Sequence, residues 1–300
     1  MIITKIRGGL GNQLFQYALG RKLAIRNKTT LKLDVDFYKE ARLRRYELDQ
    51  LAIKASRQNF LDKLVLLASN RPVLRRFEPI ARLQERMMFT TVNDKMGGFD
   101  GDVFLAKGNV YLKGFWQSWK YFSDIRSVLL SEFSFTSPLD PPNTSMMYRI
   151  EESCSVCVHV RRGDYWNEPY INKLFGVCPI EYYDEGIRLM KQKLSKPTFF
   201  VFSDDLDWAR GNLKPDASCI FVDCNKNISA VHDMRLMMAC KHFIIANSTF
   251  SWWGAWLSTS PGKIVIAPEN WYKSNWLPMH DLMPQDWIRL PHDLLLNEAR

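Results

Sequence analysis

The second half of the chain alternates short apolar runs with helix-length stretches, and no other feature constrains the fold as strongly. Residues 154–158, 198–202, 219–222, 241–245 and 263–266 each read as a buried strand, and residues 179–193 and 229–240 between them as helices. Short buried strands separated by helices are the pattern of βαβ units, which lie parallel in one sheet covered on both faces. In open sheets of this kind ligands bind outside the carboxyl ends of the strands. The residues that follow each run are therefore the first candidates for function.

After the first of these runs comes His159-Val160-Arg161-Arg162-Gly163-Asp164-Tyr165. Arginine at a strand end suits bidentate contact with phosphate. The same residues also fit a turn whose arginines pair with nearby carboxylates. After 198–202 come Ser203, Asp204 and Asp205, acids that read the N–H edge of a purine or a ribose hydroxyl, or else cap a helix. After 241–245 the chain runs Asn247-Ser248-Thr249-Phe250-Ser251-Trp252-Trp253-Gly254, a polar loop entering a Trp-rich helix. Such a helix N-terminus offers N–H and hydroxyl donors to phosphate.

The first half is less regular. Residues 2–6 read as a strand, Arg7-Gly8-Gly9-Leu10-Gly11-Asn12-Gln13 as a glycine-rich loop, and residues 12–26 as a helix. The layout fits an anion site or a tight turn, and it completes neither a Walker loop nor a dinucleotide fingerprint. A second strand over 30–36 ends in Asp34-Val35-Asp36, a spacing able to hold a divalent cation against a diphosphate. Asp205-Leu206-Asp207 matches that spacing equally, so it is weakly specific. The basic, partly amphipathic stretch 42–90 reads as a solvated helical face, with a membrane-surface helix as the other reading. Residues 109–117 read as a strand ending in aromatics, with Ser123 capping a helix that runs to Phe133. The Pro-rich stretch 134–144 reads as a linker.

Three hundred residues leave room for two domains. A net charge of +9 suits an anionic ligand, a nucleic acid or an anionic membrane surface. No apolar run approaches the roughly 18–20 residues of a membrane span, and the start reads as a strand rather than a leader, so a cytoplasmic protein is expected. Cys154 and Cys157 lack a second ligand pair, and residues three apart on a strand face opposite ways, which disfavours a metal or redox role. The ten Trp could form sugar platforms or core.

Five stretches together resemble the inverting α-1,2-fucosyltransferases of glycosyltransferase family eleven. They are residues 8–17 (GGLGNQLFQY), 113–122 (KGFWQSWKYF), 159–164 (HVRRGD), 202–205 (FSDD) and 247–256 (NSTFSWWGAW). The resemblance implies an α/β, GT-B-like fold of two Rossmann-like domains facing across a cleft. An acceptor-binding domain would span 1–140 and a GDP-fucose-binding domain 145–300. It implies transfer of L-fucose from GDP-β-L-fucose to O2 of a terminal β-galactose, with no metal or other cofactor, in surface polysaccharide of the O-antigen type. By the same resemblance Arg161 binds the β-phosphate and Arg162 braces its loop by pairing with an acid. Donor contacts fall to Gly9, Gly11, His159, Asp164, Ser203, Asp204, Asn247, Ser248, Thr249 and Phe250. The resemblance supplies no base, since the N-terminal loop has no Glu; Asp34 and Asp36 at their strand end, Asn12 or a water are the candidates to accept the acceptor's proton, and Asp36, Trp116, Gln117 and Trp119 are the candidate acceptor contacts. A lipid-linked acceptor would bring this basic chain to the inner membrane face. Two rival readings stand beside this one: a metal-dependent sugar-nucleotide transferase using Asp34 and Asp36, and a non-catalytic nucleic-acid-binding protein. The second has no recognisable nucleic-acid motif, and its basic residues are dispersed.

Overall fold

The computed structural model describes residues 1–41, 44–69, 88–95, 98–225, 230–273 and 281–293. The chain divides into two compact units, Met1–Thr136 with Pro278–Met283, and Ser137–Leu277 with Pro284–Arg300. Each is built on its own all-parallel sheet.

Unit 1 contains β1 (Ile2–Lys5), α1 (Leu10–Arg26), β2 (Leu31–Asp34), β3 (Ser56–Arg57), α2 (Phe60–Ser69), β4 (Phe89–Asn93), β5 (Asn109–Lys113) and α3 (Arg126–Glu132). The strands lie in the order β3-β2-β1-β5-β4, with Ile2 beside Leu31 on one side and Val110 on the other. The chain winds from β1 towards β3, then returns on the opposite side of β1. The order therefore reverses between β1 and β5, and in open parallel sheets the crevice that holds a ligand lies at such a reversal. α1 begins two residues before the expected start, so Gly11 and Asn12 belong to its first turn rather than to a loop. The residue that needs glycine's freedom is Gly8, with φ +83°. The basic stretch 42–90 yields α2, β3 and the start of β4, and its residues 42–43 and 70–87 lie outside the described residues.

Unit 2 contains α4 (Pro141–Glu151), β6 (Cys154–Val160), α5 (Gly163–Asn167), α6 (Pro169–Phe175), α7 (Ile180–Lys193), β7 (Pro197–Ser203), α8 (Leu206–Asn212), β8 (Ser218–Phe221), α9 (Ala230–Ala239), β9 (His242–Ile244), α10 (Thr249–Leu257), β10 (Val265–Pro268) and β11 (Ile288–Leu290). Its sheet has the order β11-β10-β9-β6-β7-β8, reversing between β6 and β9. Val156, Val158, Phe199, Val201, Ile244 and Ile266 fill one side of the core with Tyr182, Tyr183, Ile187 and Met190 of α7. Full burial of each such side chain contributes about 1.5–3 kcal/mol. Gly186 lets α7 lie close on β9: a Cβ there would stand 3.0 Å from Ile244.

The stretch read as a linker is partly helix. Asp140 accepts the Asn143 N–H at 2.9 Å and Pro141 opens α4, so proline here starts an element rather than separating two. The tryptophans are mostly core. Trp116, Trp252, Trp253, Trp256, Trp271 and Trp287 are buried, and Trp252 and Trp256 stack at 5.7 Å. No helix among the described residues is long and apolar enough to cross a membrane.

Candidate functional site

The crevice of unit 2 lies at the ends of β6 and β9. β6 delivers His159 as its penultimate residue and Arg161 just past its end. The loop after β9 delivers Ser248 and the first turn of α10, and the His159 and Phe250 rings meet at 5.8 Å. The first N–H groups of α10 have no partners within the helix and carry its positive dipole end.

Arg161 is held rather than loose. Its guanidinium pairs with Asp204 at 2.7 Å and with Asp164, and lies 5.2 Å from the centre of the Tyr165 ring. Burial opposes its charge, but Asp204 and Asp164 outweigh burial and raise its pKa. Asp204 also accepts the backbone N–H of Arg162 at 2.8 Å, tying the end of β7 to the end of β6. Gly163 makes this possible, since a Cβ there would stand 2.9 Å from the Asp204 carboxyl carbon. The carboxylate expected to read a nucleoside is thus engaged by the arginine motif.

Arg162 turns the other way. Its guanidinium sits between two indoles, 4.4 Å from Trp166 and 4.2 Å from Trp208, with Asp205 at 3.4 Å from Nε. It pins α5 and α8 together, a bracing role in which the paired acid is Asp205, with two aromatic faces beside it. Ser203 accepts the Asp205 N–H at 2.9 Å, and Asp205 caps α8 by accepting from Trp208 N–H at 3.1 Å.

His159 is 5% exposed, and its Nδ1 has no hydrogen-bond partner. Burial, and then the Arg161 charge, lower its pKa to about 3, so the ring is neutral near pH 7. Among the described residues nothing bonds this ring nitrogen, and buried polar atoms are ordinarily bonded.

Asn247 is turned into the protein. It is fully buried, and its Nδ2 donates to the carbonyls of Phe175 at 3.1 Å and Trp271 at 3.2 Å. Cys178 Sγ lies 3.7 Å from its Oδ1. The carboxamide fastens two loops together through its Nδ2. Cys157 is also core: burial first, then Cys240, push its thiol up.

The crevice of unit 1 lies between the ends of β1 and β5. Asn12 Oδ1 accepts from Gln117 Nε2 at 2.8 Å across 105 residues of chain, so two expected site residues meet. Gly9 is the extended residue preceding α1, and Trp119 heads a 3-10 turn, Trp119–Tyr121. Trp116 is only 1% exposed and packs edge-on to Tyr121, a core position rather than a sugar platform. At the neighbouring strand end Asp34 accepts from Tyr111 OH at 2.7 Å and from the Asp36 N–H at 3.1 Å. Asp36 pairs with Lys63 at 2.6 Å and Lys39 at 2.9 Å, and these lysines lower its pKa. The two carboxylates therefore serve different partners. Among the described residues no three His, Cys, Asp or Glu are grouped to hold a metal ion. Arg7, stacked on Phe115 at 4.2 Å, was not among the residues expected in a site.

Residues 98–291 match the sequence pattern of glycosyl transferase family 11. The chain is 32% identical to an Escherichia coli alpha-1,2-colitosyltransferase, over 97% of this chain and 99% of the relative. The chain belongs to glycosyl transferase family 11. This family 11 chain is also 31% identical to the E. coli O-antigen biosynthesis glycosyltransferase WbnK, over 95% of itself and 99% of the relative. A galactoside alpha-(1,2)-fucosyltransferase 1 of Saimiri boliviensis boliviensis is 28% identical over 65% of this chain and 54% of that one. Among solved structures, the family 11 fold is similar to fucosyltransferase NodZ from Bradyrhizobium, with TM-score 0.53 and 16% identity over 88% of this chain and 94% of that one. The NodZ alpha-1,6-fucosyltransferase soaked with GDP-fucose has TM-score 0.51 and 17% identity over the same shares. The fold is thus the GT-B-like α/β arrangement implied by the sequence, and the protein is a glycosyltransferase.

Proposed function

We propose that this glycosyltransferase moves L-fucose from GDP-β-L-fucose to O2 of a terminal β-galactose, giving an α-1,2 linkage in a surface polysaccharide of the O-antigen type. The observation that carries the reading is Arg161, fixed by Asp204 and Asp164 at the point where the unit 2 sheet reverses, beside the N-terminus of α10. Unit 2 takes the donor in this reading and unit 1 the acceptor. As the bond from fucose C1 to the β-phosphate oxygen breaks, negative charge grows on GDP. Arg161 and the donors of Ser248, Thr249 and Phe250 meet that charge and stabilise the transition state more than the ground state. His159 Nδ1 is open to a hydrogen bond from the nucleoside side. No metal is needed, because a guanidinium does the neutralising.

The acceptor O2 attacks the opposite face of C1 and loses its proton. Asn12 is a poor proton acceptor, because a carboxamide oxygen is far less basic than a carboxylate. Asp34 is assigned the role, directly or through one water. Asp34→Asn should lower kcat by about 10²-fold or more while leaving donor KM unchanged. A variant with unchanged kcat ends that assignment. A lipid-linked acceptor would bring the protein to the inner membrane face.

The 32% identity to a colitosyltransferase favours one second reading, in which colitose replaces fucose as the transferred sugar. The test is transfer from GDP-fucose and from nucleotide-linked colitose to β-galactosides, with and without EDTA. An α-1,2 fucosyl product that survives EDTA supports the proposal. Transfer of colitose alone replaces the donor. Loss with EDTA and recovery with Mn²⁺ restores a metal-dependent mechanism at Asp34 and Asp36.

A further inference from the structure

The geometry points to an anion-binding position at Arg7, in the crevice of unit 1, that takes a carboxylate or phosphate carried by the acceptor glycan. The inference rests on the reading that unit 1 receives the acceptor, and it adds a substrate class to that reading. Arg7 directly follows Ile6 at the end of β1, and its N–H donates to Gln16 Oε1 at 2.9 Å, which fixes the backbone. Its guanidinium lies on the Phe115 ring, 4.2 Å from the centroid.

The support under that ring is rigid. The N–H groups of Phe115 and Trp116 both donate to Asp94 Oδ2, at 3.0 and 2.9 Å. Gly114 permits the approach, since a Cβ there would overlap the Asp94 side chain. Trp116 has φ 57°, a conformation that is strained for a bulky residue and that marks functional segments. Its indole N–H is buried without a partner. The strained turn sets the next residue, Gln117, against Asn12. A cation on an aromatic face and two carboxamides are thus held on one braced frame, and carboxamides are suited to sugar hydroxyls.

The carboxylate of the frame, Asp94, is turned to the Phe115 and Trp116 N–H groups. No carboxylate among the described residues pairs with Arg7. The acids at the neighbouring strand end are engaged elsewhere, Asp34 by Tyr111 and Asp36 by Lys39 and Lys63. A half-buried guanidinium with its fork unpaired is matched by a planar carboxylate or a phosphate. Sugar hydroxyls beside such a group describe an acidic sugar or a sugar phosphate next to the galactose.

The experiment compares wild type, Arg7→Gln and Arg7→Lys. The acceptors are lactitol (neutral), lactobionate (its carboxylate counterpart) and lactose 1-phosphate, at saturating donor. Wild type should prefer one of the anionic acceptors over lactitol by about 10-fold in kcat/KM. Arg7→Gln should erase the preference by raising the KM of that acceptor alone, leaving donor KM and lactitol kinetics unchanged. Arg7→Lys should keep part of the preference. Preference for the carboxylate or for the phosphate tells which anion is meant. Equal use of all three by wild type, or unchanged acceptor KM in Arg7→Gln, overturns the proposal. So does a rise in donor KM, which would assign Arg7 to the donor's diphosphate. Binding of lactobionate and lactose 1-phosphate, followed by NMR without any donor, separates the two levels. Arg7-dependent binding without fucosyl transfer sinks the donor reading and keeps the anion position. Transfer with Arg7-independent binding does the reverse.

Discussion

The two crevices have the same origin and different chemistry. In each unit a parallel sheet reverses its order beside its first strand, and in each an arginine follows that strand: Arg7 after β1 and Arg161 after β6. Arg161 has two carboxylate partners and an aromatic ring, whereas Arg7 has an aromatic ring and no carboxylate among the described residues. Placement by topology is therefore common to both, and function depends on what surrounds the placed charge. A guanidinium oriented by two acids is fixed for a ligand that arrives with more than one negative charge and displaces or joins them. A guanidinium supported only by a ring face is open to a single weaker anion.

That contrast can be broken at several points. The largest expected effect is at Arg161. Arg161→Ala should fold and lose about 10²–10³-fold in kcat, measured as transfer rate alongside a thermal melt. An active variant removes the difference in role between the crevices. Next is Gly163→Ala, where the added methyl displaces the Asp204 carboxylate and with it the orientation of Arg161. A loss of up to about 10²-fold is expected with near-native stability, because misplacing a positioned group by about 1 Å costs that much. In unit 1, Tyr111→Phe removes the hydroxyl on buried Asp34 and should cost about 1–3 kcal/mol in urea unfolding, with no effect on donor KM.

The effect smallest at neutral pH is a slope that develops as pH falls. His159 has its pKa lowered by burial, and then by Arg161, from 6.5 to about 3. Between those values the unfolded chain binds a proton that the folded chain does not. The contribution to stability is complete above pH 6.5 and is lost as pH falls towards 3, with a slope of at most about 1.4 kcal/mol per pH unit. His159→Gln should flatten that part of the acid limb in unfolding measured from pH 4 to 7. An identical slope in both proteins places a protonated histidine in the crevice.

Much of unit 2 was legible because a buried parallel strand announces itself as an unbroken apolar run. β7 and β9 fall within a residue of their expected bounds, β6 runs two residues past its expected end at Val158, and α7 begins one residue past its expected start at Pro179. β10 starts two residues late, at Val265, and the Lys263 side chain donates to carbonyls of α10 and the residue after it. β11 has three residues, too few for any periodicity, and β4 was missed beside the basic stretch. Site residues on one motif were readable, but their partners were not. Asn12 with Gln117, Arg7 with Phe115 and Arg162 with Trp208 are contacts across 46 to 108 residues, invisible to local pattern. Asn247 shows the converse: a polar residue in a motif that reads as a ligand, whose side-chain amide donates to the carbonyls of Phe175 and Trp271.

The most direct measurement is a calorimetric titration of GDP into wild type, Arg161→Ala and Arg7→Gln. A donor crevice at Arg161 and an acceptor crevice at Arg7 predict binding by wild type, binding weaker by at least about 10-fold in Arg161→Ala, and unchanged binding in Arg7→Gln. Wild-type affinity in Arg161→Ala, or lost affinity in Arg7→Gln, would contradict the division of labour between the two crevices.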